Sequence, residues 1–215
     1  MVKEERESTM KKTILALLLV CAVCSIVSAI TITPDSTDQK WDFDTDANPA
    51  IPEYLYNPYG NVEAAITYAG TIGEIPSWSD GVWSGTSIKF TTTIPNTRNT
   101  DPESYKDIVV EIGFQGNISL ATITAWGDAF SRTKRETSAY QDNSGQVWTL
   151  VRDYYVIKPN PTEEEICYAL SDFFGGEQKL DYVSIYTVCI PEPATVCLLG
   201  LGALALVVSR RKRLY

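Results

Sequence analysis

Apolar side chains alternate with other residues through the middle of the chain, and this alternation limits the fold more than any other feature. In residues 108–114, every second residue is Ile, Val or Phe. Successive side chains of a β-strand point to opposite faces, so a two-residue period predicts a half-buried strand. Further runs rich in Val, Ile, Thr, Tyr and Trp are 62–68, 86–93, 118–126, 147–157, 165–170 and 181–190.

Turn-forming residues separate these runs. Gly116-Asn117 lies between two of them and predicts a β-hairpin, and Pro, Gly, Asn and Asp cluster between the others. No run with helical periodicity is long enough for an average helix. The sequence therefore predicts an all-β fold, and more narrowly an antiparallel β-sandwich that is jelly-roll-like.

Composition excludes several classes of function. The 215 residues include no histidine, which excludes Ser-His-Asp and Cys-His catalytic systems and histidine-bound metals. The net charge is −9, and without a basic face no nucleic acid partner is expected. The segment 30–190 is more acidic still, with 10 Lys and Arg against 23 Asp and Glu, a net charge of −13.

The N-terminal segment, 1–29, is typical of a Sec signal peptide with Met10 as its start. Two lysines follow Met10 and precede an apolar run over 13–24. Val27-Ser28-Ala29 then places small residues where signal peptidase requires them, which predicts cleavage after Ala29. The alternative is an uncleaved N-terminal anchor.

The C-terminal segment combines prolines, an uncharged stretch and basic residues. Ile190 is followed by Pro191, Glu192 and Pro193, and then by the 16 uncharged residues 194–209. As a helix this stretch would be about 24 Å long, against a hydrocarbon core of about 30 Å. It is predicted to be a short transmembrane helix with its C-terminal side in the cytoplasm, because a basic cluster follows it. The cluster is Arg210, Arg211, Lys212 and Arg213.

This order of features resembles the PEP-CTERM sorting signal, over residues 191–213. The resemblance implies a Gram-negative-type envelope, export by the Sec machinery, signal peptidase cleavage and recognition by an exosortase at the inner membrane. It also implies a final location at the cell surface or in the extracellular matrix, in association with exopolysaccharide. The chain is thus divided into a signal peptide (1–29), an exported domain (30–190) and a sorting signal (191–215). The tail leaves the role of the exported domain open.

Cysteines and acidic residues give two candidate structural sites. Cys167 and Cys189 remain in the exported domain and predict one disulfide, with two separate buried thiols as the alternative. The acidic stretch 42–53 places oxygen ligands at the offsets of a calcium loop. Ala47 stands where such a loop needs Gly, so the stretch predicts a looser Ca²⁺ site, or else a solvated acidic loop. The residues with ligand spacing are Asp42, Asp44, Asp46, Asn48 and Glu53.

Tryptophans give the last candidate site. Trp78 and Trp83 flank a predicted turn and are candidates for contact with a sugar ring, because an aromatic face packs against sugar C–H groups. Trp126 and Trp148 are predicted to be core residues, since large aromatic side chains usually bury most of their area.

These features favour an exported, non-enzymatic protein with a structural or interaction role in the envelope or matrix. The alternative is a Ca²⁺-assisted carbohydrate-binding, lectin-like module. A third possibility is a glycoside-active enzyme, because two carboxylates can hydrolyse a glycoside without histidine. No catalytic residue can be selected among so many carboxylates, and no cofactor other than Ca²⁺ is predicted.

Overall fold

The computed structural model describes residues 36–70, 74–96 and 104–190. The predicted signal peptide and sorting signal lie outside these residues, and a helix able to cross a membrane is absent within them. The described residues form thirteen β-strands. The strands are β1 (Ser36–Trp41), β2 (Tyr54–Tyr56), β3 (Ala64–Thr67), β4 (Ser77–Ser79), β5 (Val82–Gly85), β6 (Ser87–Pro95), β7 (Tyr105–Gln115), β8 (Ile118–Ala125), β9 (Asp128–Phe130), β10 (Lys134–Gln141), β11 (Val147–Ile157), β12 (Glu163–Ser171) and β13 (Gln178–Ile190).

Two antiparallel sheets contain these strands. In the described part of the chain, the larger sheet has eight strands, with the order β10-β11-β7-β13-β1-β2 and with β4 and β5 attached beside β13. The smaller sheet has five strands in the order β3-β6-β12-β8-β9. One apolar cluster contains the inward residues of both sheets. The prediction of an all-β antiparallel sandwich is therefore confirmed.

Strand pairing links elements that are far apart in the chain. Strand β1 pairs with β13, β6 with β12 and β7 with β11. Strand β7 also pairs with β13, and β12 also pairs with β8. Most connections between these strands cross from one sheet to the other, so the two sheets are interleaved in sequence.

The predicted hairpin at Gly116-Asn117 is wrong, because this link joins β7 of the larger sheet to β8 of the smaller one. Gly116 has φ +113°, and the Asn117 N–H donates to Gln178 Oε1 at 2.8 Å. A hairpin does occur ten residues later, where Trp126 and Gly127 have φ of 53° and 87° between β8 and β9. Two successive positive φ values suit the twist of a two-residue hairpin.

The core lies between the sheets and follows the sequence alternation. Ile108, Val110 and Ile112 of β7 are fully buried, as the two-residue period predicts. From the other side, Tyr168 of β12 lies in the same cluster. Burial of this kind is the main favourable contribution to folding, at about 25 cal/mol per Å² of apolar surface.

Cys167 and Cys189 are both buried thiols, so the predicted disulfide is absent. Cys167 lies in β12 of the smaller sheet, opposite Thr91, whose hydroxyl is 3.9 Å from Sγ. Cys189 lies in β13 of the larger sheet, with Sγ 3.4 Å from Asn160 Oδ1. The prediction fails because consecutive strands β12 and β13 belong to different sheets, and the two sulfur atoms have different neighbours.

Candidate functional site

The outward surface of the larger sheet has a row of aromatic side chains. Strand register places Tyr140 opposite Trp148, Lys40 opposite Tyr54, and Asp38 opposite both Tyr56 and Tyr186. Residues directly opposite each other point to the same face. We define the aromatic face as Tyr54, Tyr56, Tyr140, Trp148, Tyr154, Tyr182 and Tyr186. It crosses six strands, a width of about 24 Å at the usual strand spacing.

Three rings form the densest part of this face. Tyr140 stacks on Trp148, with ring centroids 6.5 Å apart and an interplanar angle of 14°. Tyr140 also lies 5.9 Å from Tyr182. Gly113 of β7 lies beneath them, and a Cβ there would be 2.5 Å from Tyr140 Oη and 2.7 Å from Tyr182 Cδ1. The absence of a side chain at position 113 therefore lets these rings lie close against the sheet.

Carboxylates hold the polar ends of the rings. Tyr140 Oη donates to Asp181 Oδ2, and Tyr182 Oη donates to Glu111 Oε1 at 2.8 Å. Burial and these acceptors raise the pKa of both tyrosines. Both hydroxyls thus stay protonated near neutral pH, and the rings are fixed in place. Lys40 Nζ lies 5.2 Å above the Tyr182 ring, within the range of a cation–π contact.

Asp142 fixes the indole of Trp148, whose Nε1 donates to Asp142 Oδ2 at 2.8 Å. That bond, with others from Ser144 and Gln146, lowers the pKa of Asp142 to about 2. A groove of about 610 Å³ lies next to this pair, a size typical of ligand pockets. Its lining includes Asp80, Asp142, Trp148, Lys179 and Asp181. The groove therefore joins one end of the aromatic face.

The predicted calcium ligands have other contacts. Glu53 accepts from the backbone N–H groups of Asp42 and Asp44 at 2.8 and 3.1 Å. Asn48 bonds both the N–H and the C=O of Ile66, and Asp46 lies in the same exposed loop. Within the described residues, no group of three or more acidic, cysteine or histidine side chains is placed to hold a metal ion. The distal carboxylate of Glu53 thus closes the loop through its backbone, and the Ca²⁺ site stays a prediction.

The tryptophan predictions are wrong at Trp83 and at Trp126. Trp83 is only 4 % exposed and belongs to the core, so it does not face a sugar. Trp78 is partly buried, and its Nε1 donates to the Phe43 carbonyl at 2.8 Å. Trp126, predicted to be core, is 55 % exposed in the β8–β9 turn. Trp148 is buried as predicted, but it is covered on the aromatic face rather than packed between the sheets.

Sequence reasoning missed the aromatic face as a whole. The strand β10 is polar on both sides and gave no alternation signal, and β2 is only three residues long. Tyr140 and Tyr182 are 42 residues apart in sequence, and only the pairing of non-neighbouring strands brings them together. The available signal was the unusual number of tyrosines, 12 in the chain.

Comparison with known families identifies the C-terminal segment. Residues 190–213 match the PEP-CTERM protein-sorting motif. The chain carries a PEP-CTERM sorting motif. The match covers the prolines, the uncharged stretch and the basic cluster, and it confirms the resemblance seen in the sequence. PEP-CTERM motifs imply export, membrane anchoring before processing, and exosortase as the processing enzyme. No curated protein matches the sequence.

Several solved structures have a distant likeness to this chain. One is a CBM3a-L domain from scaffoldin cipA of Clostridium thermocellum, with 9% identity, TM-score 0.28, and coverage of 57% of this chain and 74% of that one. A family 3b carbohydrate-binding module of Clostridium clariflavum has 15% identity and TM-score 0.26, covering 53% and 73%. The CBM2 module of Lactobacillus casei BL23 phage J-1 evolved Dit has 10% identity and TM-score 0.34, covering 71% and 96%.

Proposed function

We propose that this chain is an exported, non-enzymatic envelope or matrix protein whose sandwich binds a polysaccharide through the aromatic face. The observation that carries the proposal is the row of tyrosines with their carboxylate partners across the larger sheet. Tyr54, Tyr56 and Tyr186 are 53, 55 and 43 % exposed. These rings offer apolar surface to the C–H face of a sugar, and neighbouring polar groups can bond its hydroxyls.

Rigidity of the central rings supports the proposal. Tyr140 and Tyr182 each have their hydroxyl fixed by a carboxylate and their ring placed over Gly113. A side chain already held in one orientation loses little conformational entropy when a ligand binds. The sorting motif is the second support, because PEP-CTERM export would place this face among exopolysaccharide chains.

Charge indicates which polysaccharides would bind. The exported segment 30–190 has a net charge of −13, and Asp38, Glu111, Asp142 and Asp181 lie on or beside the aromatic face. Polyanionic chains rich in uronic acid or sulfate would be repelled at low ionic strength. We therefore expect a neutral or amino-sugar polysaccharide. The acidic loop 42–53 bonds its own backbone, so binding should not require Ca²⁺.

The experiment is electrophoresis of the purified protein through gels containing neutral, cationic or anionic polysaccharides, with and without chelator. Retardation by one of the first two classes, unchanged by chelator, is the expected result. Tyr54→Ala and Tyr186→Ala should each weaken retardation several-fold, since one stacking ring contributes about 1 kcal/mol. Phe173→Ala is the matched control, because Phe173 is 95 % exposed in the β12–β13 loop and is not part of the aromatic face.

Three outcomes would overturn the proposal. If the wild-type protein is not retarded in any gel, the protein has a structural role that does not involve polysaccharide binding. An equal loss in the Phe173→Ala variant would indicate nonspecific hydrophobic adhesion instead. Release of reducing sugar in the same samples would replace the non-enzymatic role with that of a glycoside-active enzyme.

A further inference from the structure

Three reactive side chains are enclosed between the sheets at one end of the sandwich. Asn96 follows β6, Lys106 is the second residue of β7, and Glu164 is the second residue of β12. Lys106 and Glu164 have no exposed surface, and Asn96 is 5 % exposed. A lysine and a glutamate are almost never buried completely unless they are paired. The cluster is outside the aromatic face and takes no part in the proposed glycan binding.

The contacts among these groups form a closed ring. Lys106 Nζ lies 3.0 Å from Glu164 Oε1 and 3.1 Å from Oε2. The same nitrogen contacts Asn96 Oδ1, the carbonyl oxygen of the side-chain amide. The amide nitrogen of Asn96 in turn contacts Glu164 Oε2. The amine therefore lies next to the amide carbon, and the carboxyl group lies next to both nitrogen atoms.

Burial favours the neutral forms of the two ionisable groups. Desolvation lowers the pKa of Lys106 and raises the pKa of Glu164, and their mutual attraction opposes both shifts. Transfer of one proton from the amine to the carboxylate gives an uncharged pair and frees the lone pair on Nζ. An amine is a nucleophile only in this neutral form.

We infer that Lys106 and Asn96 form an intramolecular amide bond, with Glu164 carrying the proton. The Nζ lone pair attacks Asn96 Cγ, and the Cγ–Nδ2 bond breaks after a tetrahedral intermediate. Glu164 takes a proton from Nζ and gives one to Nδ2, so that ammonia leaves and the carboxyl group returns to its starting state. No oxidant, metal or other reactant is needed.

The bond would join the two sheets covalently, because Asn96 follows a strand of the smaller sheet and Lys106 lies in the larger one. It would close the segment between residues 96 and 106. A cross-link stabilises a fold chiefly by limiting the unfolded chain, as a disulfide does. Unlike a disulfide, an amide is unaffected by reductants, which suits a protein whose two buried cysteines are not joined.

The test is tryptic mapping of the purified full-length chain by mass spectrometry. With the bond present, trypsin cannot cleave after Lys106, and peptide 90–98 should appear attached to peptide 99–132. The mass of the branched peptide should be the sum of the masses of peptides 90–98 and 99–132 minus one ammonia, because the reaction releases Nδ2 as ammonia. Wild-type protein that yields separate, unmodified peptides ending at Arg98 and Lys106 would overturn the inference and leave an ordinary buried ion pair.

Variants assign the roles. Asn96→Ala should abolish the branched peptide because the acceptor carbon is gone, and Glu164→Gln should reduce its yield at least tenfold while preserving side-chain shape. Cys189→Ala is the matched control, because Cys189 pairs with Lys106 in strand register but takes no part in the reaction. A Glu164→Gln variant that is linked as fully as wild type would remove Glu164 from the mechanism. Loss of the link in Cys189→Ala would contradict the assignment of the three residues.

Discussion

Asp142 organises the turn beside the aromatic face through four acceptor contacts. Its Oδ1 accepts from the Ser144 N–H at 2.8 Å, the Ser144 hydroxyl at 2.7 Å and the Gln146 N–H at 2.9 Å. Its Oδ2 accepts from Trp148 Nε1 at 2.8 Å. Every contact favours the charged carboxylate, which is why its pKa falls to about 2. One side chain thus fixes both the turn and the largest ring of the face.

This lowered pKa gives a pH prediction. Because the folded-state pKa lies below the ordinary value of 3.8, the unfolded state binds the proton more readily. The contribution of Asp142 to stability is therefore complete above about pH 4 and is lost as the pH falls toward about 2. Urea unfolding of Asp142→Asn should show a smaller loss of stability over this interval than wild type. Parallel pH profiles for the two proteins would contradict the assignment.

Gly113 gives a second prediction at the residue scale. Gly113→Ala should force Tyr140 and Tyr182 away from the sheet, because the new Cβ would lie 2.5 and 2.7 Å from their atoms. Overpacking of this kind costs about 1–3 kcal/mol, and the displaced rings should also weaken polysaccharide binding. Thermal unfolding and gel retardation measure the two effects. Ser184→Ala on the same face is the control, and an equal effect there would show that the glycine is not special.

At the level of strands, alternation predicted the elements that bury one face. The runs 147–157 and 108–114 coincide with or lie within β11 and β7, and their inward residues form the core. Strand β10 was missed because its sequence, Lys134–Gln141, is polar on both sides. Short edge strands such as β4 also carry too few residues for a period to be seen. Apolar and polar residues alternate only where one face of a strand is buried, so a strand with little buried surface has no alternating pattern in its sequence.

Pairing between strands could not be predicted from local sequence. The same Gly-Asn sequence can form a hairpin or connect two sheets. What distinguishes the two cases is the residue that is hydrogen-bonded to the link. Here that residue is Gln178, which lies 61 positions beyond Asn117 and is buried. The same limit explains why a disulfide was wrongly predicted and why the aromatic face was not predicted. Each depends on which strands lie side by side.

Gln178 therefore carries a prediction about the crossing. Its Oε1 accepts from Asn117 N–H, and its Nε2 donates to the Gly176 carbonyl at 2.8 Å. Gln178→Ala should remove both hydrogen bonds of this buried side chain, at a cost of about 0.5–1.5 kcal/mol for each bond. Chemical denaturation measures the loss. Gln146→Ala, at an exposed position, should have little effect, and a comparable loss there would contradict the role given to Gln178.

At the scale of the whole molecule, the sandwich and the sorting motif have separate tasks. The sandwich has aromatic rings on the outward surface of the larger sheet and the buried Lys106, Asn96 and Glu164 cluster away from that surface. The motif at 190–213 begins at Ile190, the last residue of β13. Since β13 is central in the larger sheet, removal of the motif must occur beyond Ile190 to leave the fold intact. Cleavage within β13 would instead remove the partner of β1 and β7.

Processing by exosortase can be tested on this basis. In cells that have the enzyme, we expect a surface or secreted form that lacks 210–215 and retains every residue through Ile190. In cells without it, the full-length chain should remain in the membrane fraction, because the uncharged stretch 194–209 holds it and the basic cluster blocks passage. Replacing Pro191 and Pro193 with alanine should have the same effect as loss of the enzyme, whereas Phe173→Ala should not. Terminal peptide mapping with fractionation makes the measurement. Full-length protein dominating in both cell types would show that the segment is a permanent anchor.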